Sequence, residues 1–216
     1  MTYRSLTLLG VAVAAASMCS ADLLYNQAFN GSSSLYASQN DTNVGGLGNF
    51  ATTYDNFTLP SLSTVGAVAW TGGYYGGTIA PIAGFTLQFY SDNAGVPGAS
   101  ISSTYIAGTA NEGDIGNFGG YEMYTYSANL GTAFTASAGI QYWLSIVPDL
   151  GHPPQWGWAT GTGGDGAAYQ VFLGTGAALA NDMAFELAST PEPFTFGLIG
   201  VGLAGIALAK FRRARS

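Results

Sequence analysis

An all-β fold, an antiparallel β-sandwich of jelly-roll-like character, is what this sequence predicts, on three observations. Glycine supplies 32 of the 216 residues while charged residues make up only 8%, a balance that favours short strands joined by turns over coiled coils or helix-rich enzymes. Apolar and polar residues alternate with a period of two in many short runs. Between the two ends of the chain no segment sustains a helical period. A hydrophobic share of 48% can build one full core at this length.

The predicted strands fall, in order, at Leu24–Phe29, Tyr54–Leu59, Thr64–Thr71, Phe85–Tyr90, Ile101–Ile106, Tyr121–Ser127, Ile140–Val147, Gln155–Ala159, Tyr169–Leu173 and Met183–Leu187. Turn chemistry separates them at Gly72-Gly73, Ser91 to Gly95, Val96-Pro97-Gly98, Gly113-Asp114, Gly119-Gly120 and Gly161 to Gly166, where Gly, Asp, Asn and Pro supply the backbone angles and local hydrogen bonds that turns need. In the fourth run Phe85, Leu87 and Phe89 fall on one face, with Thr86, Gln88 and Tyr90 on the other. That pattern fits a strand with one packed and one wet face. Tyr142, Leu144 and Ile146 repeat it.

The two ends read differently from this interior. Residues 1–21 form a secretory signal: Arg4 supplies the positive n-region, Leu6 to Met18 the apolar stretch, and Cys19-Ser20-Ala21 the small residues before a cut. Met18 stands where a lipoprotein signal requires a small residue before its cysteine, which argues against lipidation at Cys19. At the other end Phe194 to Ala209 carries no charge. That run of about 16 residues is slightly short of the ~17–25 that span a bilayer comfortably, so it predicts a thin or transient transmembrane helix. Lys210, Arg212, Arg213 and Arg215 would hold this end in the cytoplasm and snorkel to offset the shortness. Pro191 and Pro193 keep the preceding segment extended, since each fixes φ and removes a backbone donor.

The segment Pro191-Glu192-Pro193, the glycine-rich span and the arginine-rich end together resemble the PEP-CTERM sorting signal of exopolysaccharide-associated proteins in Gram-negative bacteria. The resemblance covers residues 189–216. It implies Sec-dependent export, transient anchoring in the inner membrane, processing by exosortase (a membrane-embedded cysteine protease) and a final place on the cell surface or in the extracellular matrix, as in a biofilm. It implies nothing about what the domain at residues 22–188 binds. Three pieces of that domain, Tyr54 to Pro60, Phe89 to Gly98 and Tyr142 to Ile146, resemble β-sandwich domains found upstream of such tails.

Charge placement narrows the function further. All five basic residues are Arg4, Lys210, Arg212, Arg213 and Arg215, and all 12 acids lie between Asp22 and Glu192, so the stretch from Asp22 to Glu192 carries a net charge of about −12. Nucleic acid is excluded as a partner by that sign. The lone cysteine falls in the signal, which excludes thiol and disulfide chemistry from the exported part.

Enzymatic function is not expected. The domain offers one histidine, His152, in a proline-rich loop, and no Lys or Arg to stabilise a developing negative charge. A carboxylate-only glycan hydrolase remains as the minor alternative, with Glu112, Asp114, Glu122 and Glu186 as candidates. No metal ligand and no cofactor is assigned. Calcium is the one ion the loops could suit, through Asp92 with Asn93, Asn40 with Asp41 and Asn43, and Asp165, although turn formation accounts for the same residues. The expected role is structural or exopolysaccharide-associated. The alternative is a carbohydrate-binding module, either calcium-dependent or built on an aromatic platform for which Tyr74, Tyr75, Trp156 and Trp158 are the candidates.

Overall fold

The computed structural model describes residues 21–75 and 79–190. The signal at residues 1–20 and the sorting tail, with Pro191, Glu192, Pro193, Lys210, Arg212, Arg213 and Arg215, lie outside the described residues.

The described chain is all-β. Its strands are β1 (Leu23–Phe29), β2 (Leu35–Ala37), β3 (Gln39–Asp41), β4 (Gly48–Thr58), β5 (Ser63–Tyr74), β6 (Gly84–Asp92), β7 (Pro97–Ala107), β8 (Gly113–Phe118), β9 (Tyr121–Ala136), β10 (Gln141–Leu150), β11 (Trp156–Thr162), β12 (Ala168–Phe172), β13 (Thr175–Leu179), β14 (Asp182–Met183) and β15 (Phe185–Ser189). An eight-stranded sheet runs β14-β11-β1-β15-β5-β9-β8, with β2 on β11. A seven-stranded sheet runs β13-β12-β4-β3-β10-β6-β7. Pairing is antiparallel except between β3 and β10, which run parallel through Asn40 and Asp149. The short β3 therefore departs from the wholly antiparallel pattern expected from sequence.

The core lies between the sheets. Trp70 of β5 stacks on Tyr126 of β9 at 5.6 Å and meets Phe85 of β6 edge-on at 5.0 Å. Phe89 of β6 stacks on Phe134 of β9 at 4.3 Å. Each contact between β6 and the other two strands joins the two sheets, and such aromatic pairs add to the stabilisation from simple burial. The alternation in β6 is realised as expected: Phe85, Leu87 and Phe89 are buried, while Thr86, Gln88 and Tyr90 are only half-buried on the opposite face.

Several glycines expected to break strands lie inside them. Gly72 and Gly73 belong to β5, because a side chain at Gly72 would collide with the Trp156 ring and one at Gly73 with Met123 and the Glu122 backbone. These glycines open space for neighbours rather than end the strand. Gly113-Asp114 likewise starts β8, and Pro97 starts the edge strand β7, where a missing N–H costs no ladder bond. Gly119-Gly120 is the expected turn: φ values of 61° and 98° close the two-residue β8–β9 hairpin.

One carboxylate lies inside the core. Asp55 of β4 is fully buried and accepts hydrogen bonds from Asn56 N at 2.7 Å and from Met183 N, the latter on the opposite sheet. With its amide oriented to satisfy both ends, Gln27 donates to Asp55 Oδ2 and to Met183 O, each at 2.6 Å, and accepts from the Tyr25 hydroxyl at 2.9 Å. Burial raises the Asp55 carboxyl well above its usual range, and the charges of Asp182 and Asp165 add to the shift against the two backbone hydrogen bonds.

The ends of the described chain meet. Asp22 N donates to Ser189 Oγ at 2.9 Å, and Ser189 N donates to Asp22 O at 2.8 Å.

Candidate functional site

The outward face of the seven-stranded sheet forms a polar cleft of about 210 Å³. Four strands furnish it: Asn40 from β3, Asn49, Thr52 and Tyr54 from β4, Ser145, Val147 and Asp149 from β10, and Thr86, Gln88 and Tyr90 from β6. Strand pleating explains most of the set, since Asn40, Thr52, Tyr54, Thr86, Gln88, Ser145, Val147 and Asp149 are each flanked by buried residues, while a register shift between β3 and β4 brings Asn49 opposite Asn40. Ser145 is paired with Tyr54 on one side and Gln88 on the other. Its small side chain lets Tyr54 and Tyr90 approach across β10, their rings 5.3 Å apart and edge-to-face. Tyr169 of β12, paired directly with Tyr54, extends the row at 6.4 Å.

The cleft is largely neutral. Burial raises the phenols of Tyr54 and Tyr90, the latter to about 12, so both hydroxyls stay protonated at ordinary pH and can donate as well as accept. Tyr90 Oη and Ser145 Oγ share a hydrogen bond at 3.2 Å, Thr52 Oγ1 donates to Asn49 Oδ1 at 3.1 Å, and Asn40 Nδ2 donates to Asp149 Oδ1 at 2.9 Å. Asp149 is the only charged residue among those lining it. Aromatic rings flanked by amides and hydroxyls suit a ligand with C–H faces and many hydroxyl groups.

The aromatic platform expected from sequence is not formed at its four candidate residues. Trp156 and Trp158 are fully buried and Tyr74 is 2% exposed. Trp156 Nε1 donates to Tyr126 Oη at 3.2 Å, Trp158 Nε1 to Ala184 O at 2.9 Å and Tyr74 Oη to Ala80 O at 3.0 Å. Tyr75 is half-buried, with its hydroxyl donating to Leu35 O and its ring 5.3 Å from Tyr121. The cause is that β11 is flanked by β2, β1 and β5 and carries the indoles into the core.

The three carboxylates considered for calcium, those of Asp41, Asp92 and Asp165, accept from N–H donors. Asp41 accepts from Asn43 N at 3.0 Å, Leu47 N at 2.8 Å and His152 N at 2.9 Å. These bonds, the one from Leu47 foremost, hold its carboxyl below the usual range. Asp92 accepts from Trp143 Nε1 at 2.8 Å and from Gly95 N, and Asp165 from Ala167 N at 3.0 Å. Among the described residues there is no group of three or more His, Cys, Asp or Glu arranged to hold a metal. The His152 ring packs against Phe50 at 5.3 Å.

Of the four candidate acids, Glu186 of β15 lines a depression of about 160 Å³ on the eight-stranded sheet. Glu112, in the turn before β8, has its carboxyl raised by burial and by the charge of Asp114. Glu122 of β9 accepts from Asn117 Nδ2 at 2.9 Å. The sequence pattern had placed Tyr90, Thr86 and Gln88 on one wet face; it carried no signal that Tyr54 and Tyr169 would join them.

The PEP-CTERM protein-sorting motif matches residues 189–213, so this chain carries a PEP-CTERM sorting domain. That motif is the recognition signal of exosortase and implies an exported protein of the cell surface or extracellular space. No curated protein and no solved structure matches the chain.

Proposed function

We propose that the exported domain is a non-catalytic β-sandwich that associates with exopolysaccharide on the cell surface or in the extracellular matrix, after transient anchoring in the inner membrane and tail processing by exosortase. The sorting motif at residues 189–213 carries this reading, and the tyrosine-lined cleft supports it by offering rings and neutral hydrogen-bonding groups across four strands. Tyr54, Tyr90 and Tyr169 replace the four aromatics expected from sequence as the sugar-contacting rings.

A protein cut after Ala21 begins at Asp22, the residue bonded to Ser189 just before the sorting motif's Pro191. Mass spectrometry of the protein recovered from the matrix tests the sorting half: a chain starting at Asp22 and lacking Arg215 is expected, and intact Arg215 in that fraction would contradict it. A glycan array probed with the secreted protein, with and without calcium, tests the other half. Binding to polysaccharide that falls in Tyr54→Ala supports the reading, and silence across the array in both conditions sinks it.

A further inference from the structure

Resting on that reading of the cleft, we infer that its charge selects the polymer: chains that are neutral or carry protonated amines are accepted, chains bearing carboxylate or sulfate groups are refused, and Asp149 is the counter-ion of a bound ammonium. Two observations carry this. Between Arg4 and Lys210 there is no lysine or arginine, so the domain has no permanent cation to offer an anionic sugar. Asp149, in turn, is the one acidic side chain among the residues that line the cleft.

Recognition of carboxylate, sulfate or phosphate on a polymer relies on Arg or Lys, as a fork or as a point charge. Here an anionic ring laid against Tyr54 and Tyr90 would lose water and meet a like charge at Asp149. An amino sugar in the same place gains an opposite charge. Asp149 Oδ1 already accepts from Asn40 Nδ2 at 2.9 Å, which fixes the carboxylate on the β3–β10 pair before any ligand arrives. No other residue that lines the cleft is charged, and exposed charges farther away than the Debye length of about 8 Å are largely screened at physiological salt.

The test is a binding comparison on the secreted protein with three soluble polymers of similar length: a fully N-acetylated amino-sugar chain, the same chain partly de-N-acetylated, and a uronic acid chain. The de-N-acetylated chain is expected to bind about tenfold more tightly than its acetylated counterpart at about 0.02 M salt, and the advantage to shrink at about 0.5 M. No binding of the uronic acid chain is expected at either salt. Asp149→Asn keeps an acceptor for Asn40, so it should remove the salt-sensitive advantage of the amine over the acetylated chain. A uronic acid chain bound as well as the acetylated one, or an amine preference that survives both high salt and Asp149→Asn, overturns the charge selection but leaves the polysaccharide reading standing. Failure of all three polymers to bind overturns both.

Discussion

The inner and outer faces of the seven-stranded sheet are made by the same strands and differ in everything else. Phe57, Phe85, Leu87, Phe89, Leu144 and Ile146 face the other sheet and are essentially inaccessible to water. Tyr54, Thr86, Gln88, Tyr90 and Asp149 alternate with them and line an open cleft. The inner face is apolar because it must be covered, and burying those rings is what holds the sheets together. The outer face is under no such demand, so its tyrosines and amides need another account, and ligand contact supplies one. Each face also holds an exception: Asp55 is a carboxylate on the inner side, and Val147 is an apolar residue on the outer side.

The sharpest way to break the contrast is to truncate neighbours on opposite faces of β6. Phe89→Ala removes the ring stacked on Phe134 and should cost about 3–5 kcal/mol of stability in denaturant unfolding, without changing the affinity of the folded fraction for glycan. Tyr90→Ala should do the reverse. Its half-buried ring contributes less to the core, while glycan affinity should drop about tenfold, or about 1.4 kcal/mol. If Phe89→Ala weakened binding as much as Tyr90→Ala, the two faces would not be functionally separate.

The inner-face exception has a pH signature. Because burial raises the Asp55 carboxyl in the fold well above its ordinary value of 3.8, the native state binds a proton more tightly than the unfolded chain. Stability then falls as pH rises from about 3.8 through the raised folded value. Chemical denaturation at about pH 5 and about pH 8 should therefore find the protein more stable at the lower pH. Asp55→Asn should flatten that slope. Asp41, whose carboxyl is held low by three backbone N–H groups, acts in the opposite sense at more acidic pH, since its contribution is lost as pH falls. A slope unchanged in Asp55→Asn would mean that repulsion among the other acids, not this buried group, sets the trend.

What could be read in advance follows from this same division of faces. The β6 run announced both its strand and its two faces because phenylalanine and leucine alternate with polar residues throughout it. Trp156 and Trp158 also announced a shared face, yet the sequence could not say whether that face was inward. Glycines at Gly72 and Gly161 make the room for close approach on β11 and its partners, and that is a fact of tertiary packing. The strands β8 and β13, Gly113–Phe118 and Thr175–Leu179, are rich in glycine and alanine and look like turns; pairing with β9 and β12 makes them strands, an override of local preference by context. The cleft was the least legible feature, because Tyr54, Tyr90 and Tyr169 are remote in sequence and only the order β12-β4-β3-β10-β6 gathers them.

The smallest effect should come from Ser145, which separates two explanations of that gathering. If the cleft works through ring faces, Ser145 matters because it is small enough for Tyr54 and Tyr90 to meet over it at 5.3 Å. If it works through a hydroxyl network, the bond between Ser145 Oγ and Tyr90 Oη at 3.2 Å matters instead. Ser145→Ala keeps the space and removes the bond, so it should lower stability by only about 0.5–1.5 kcal/mol and change glycan affinity less than about twofold. A tenfold loss of binding in Ser145→Ala, with stability intact, would shift the account from stacking to hydrogen bonding. The neutral phenol of Tyr90 would then be the group that reads the sugar, and Tyr90→Phe would reproduce the loss.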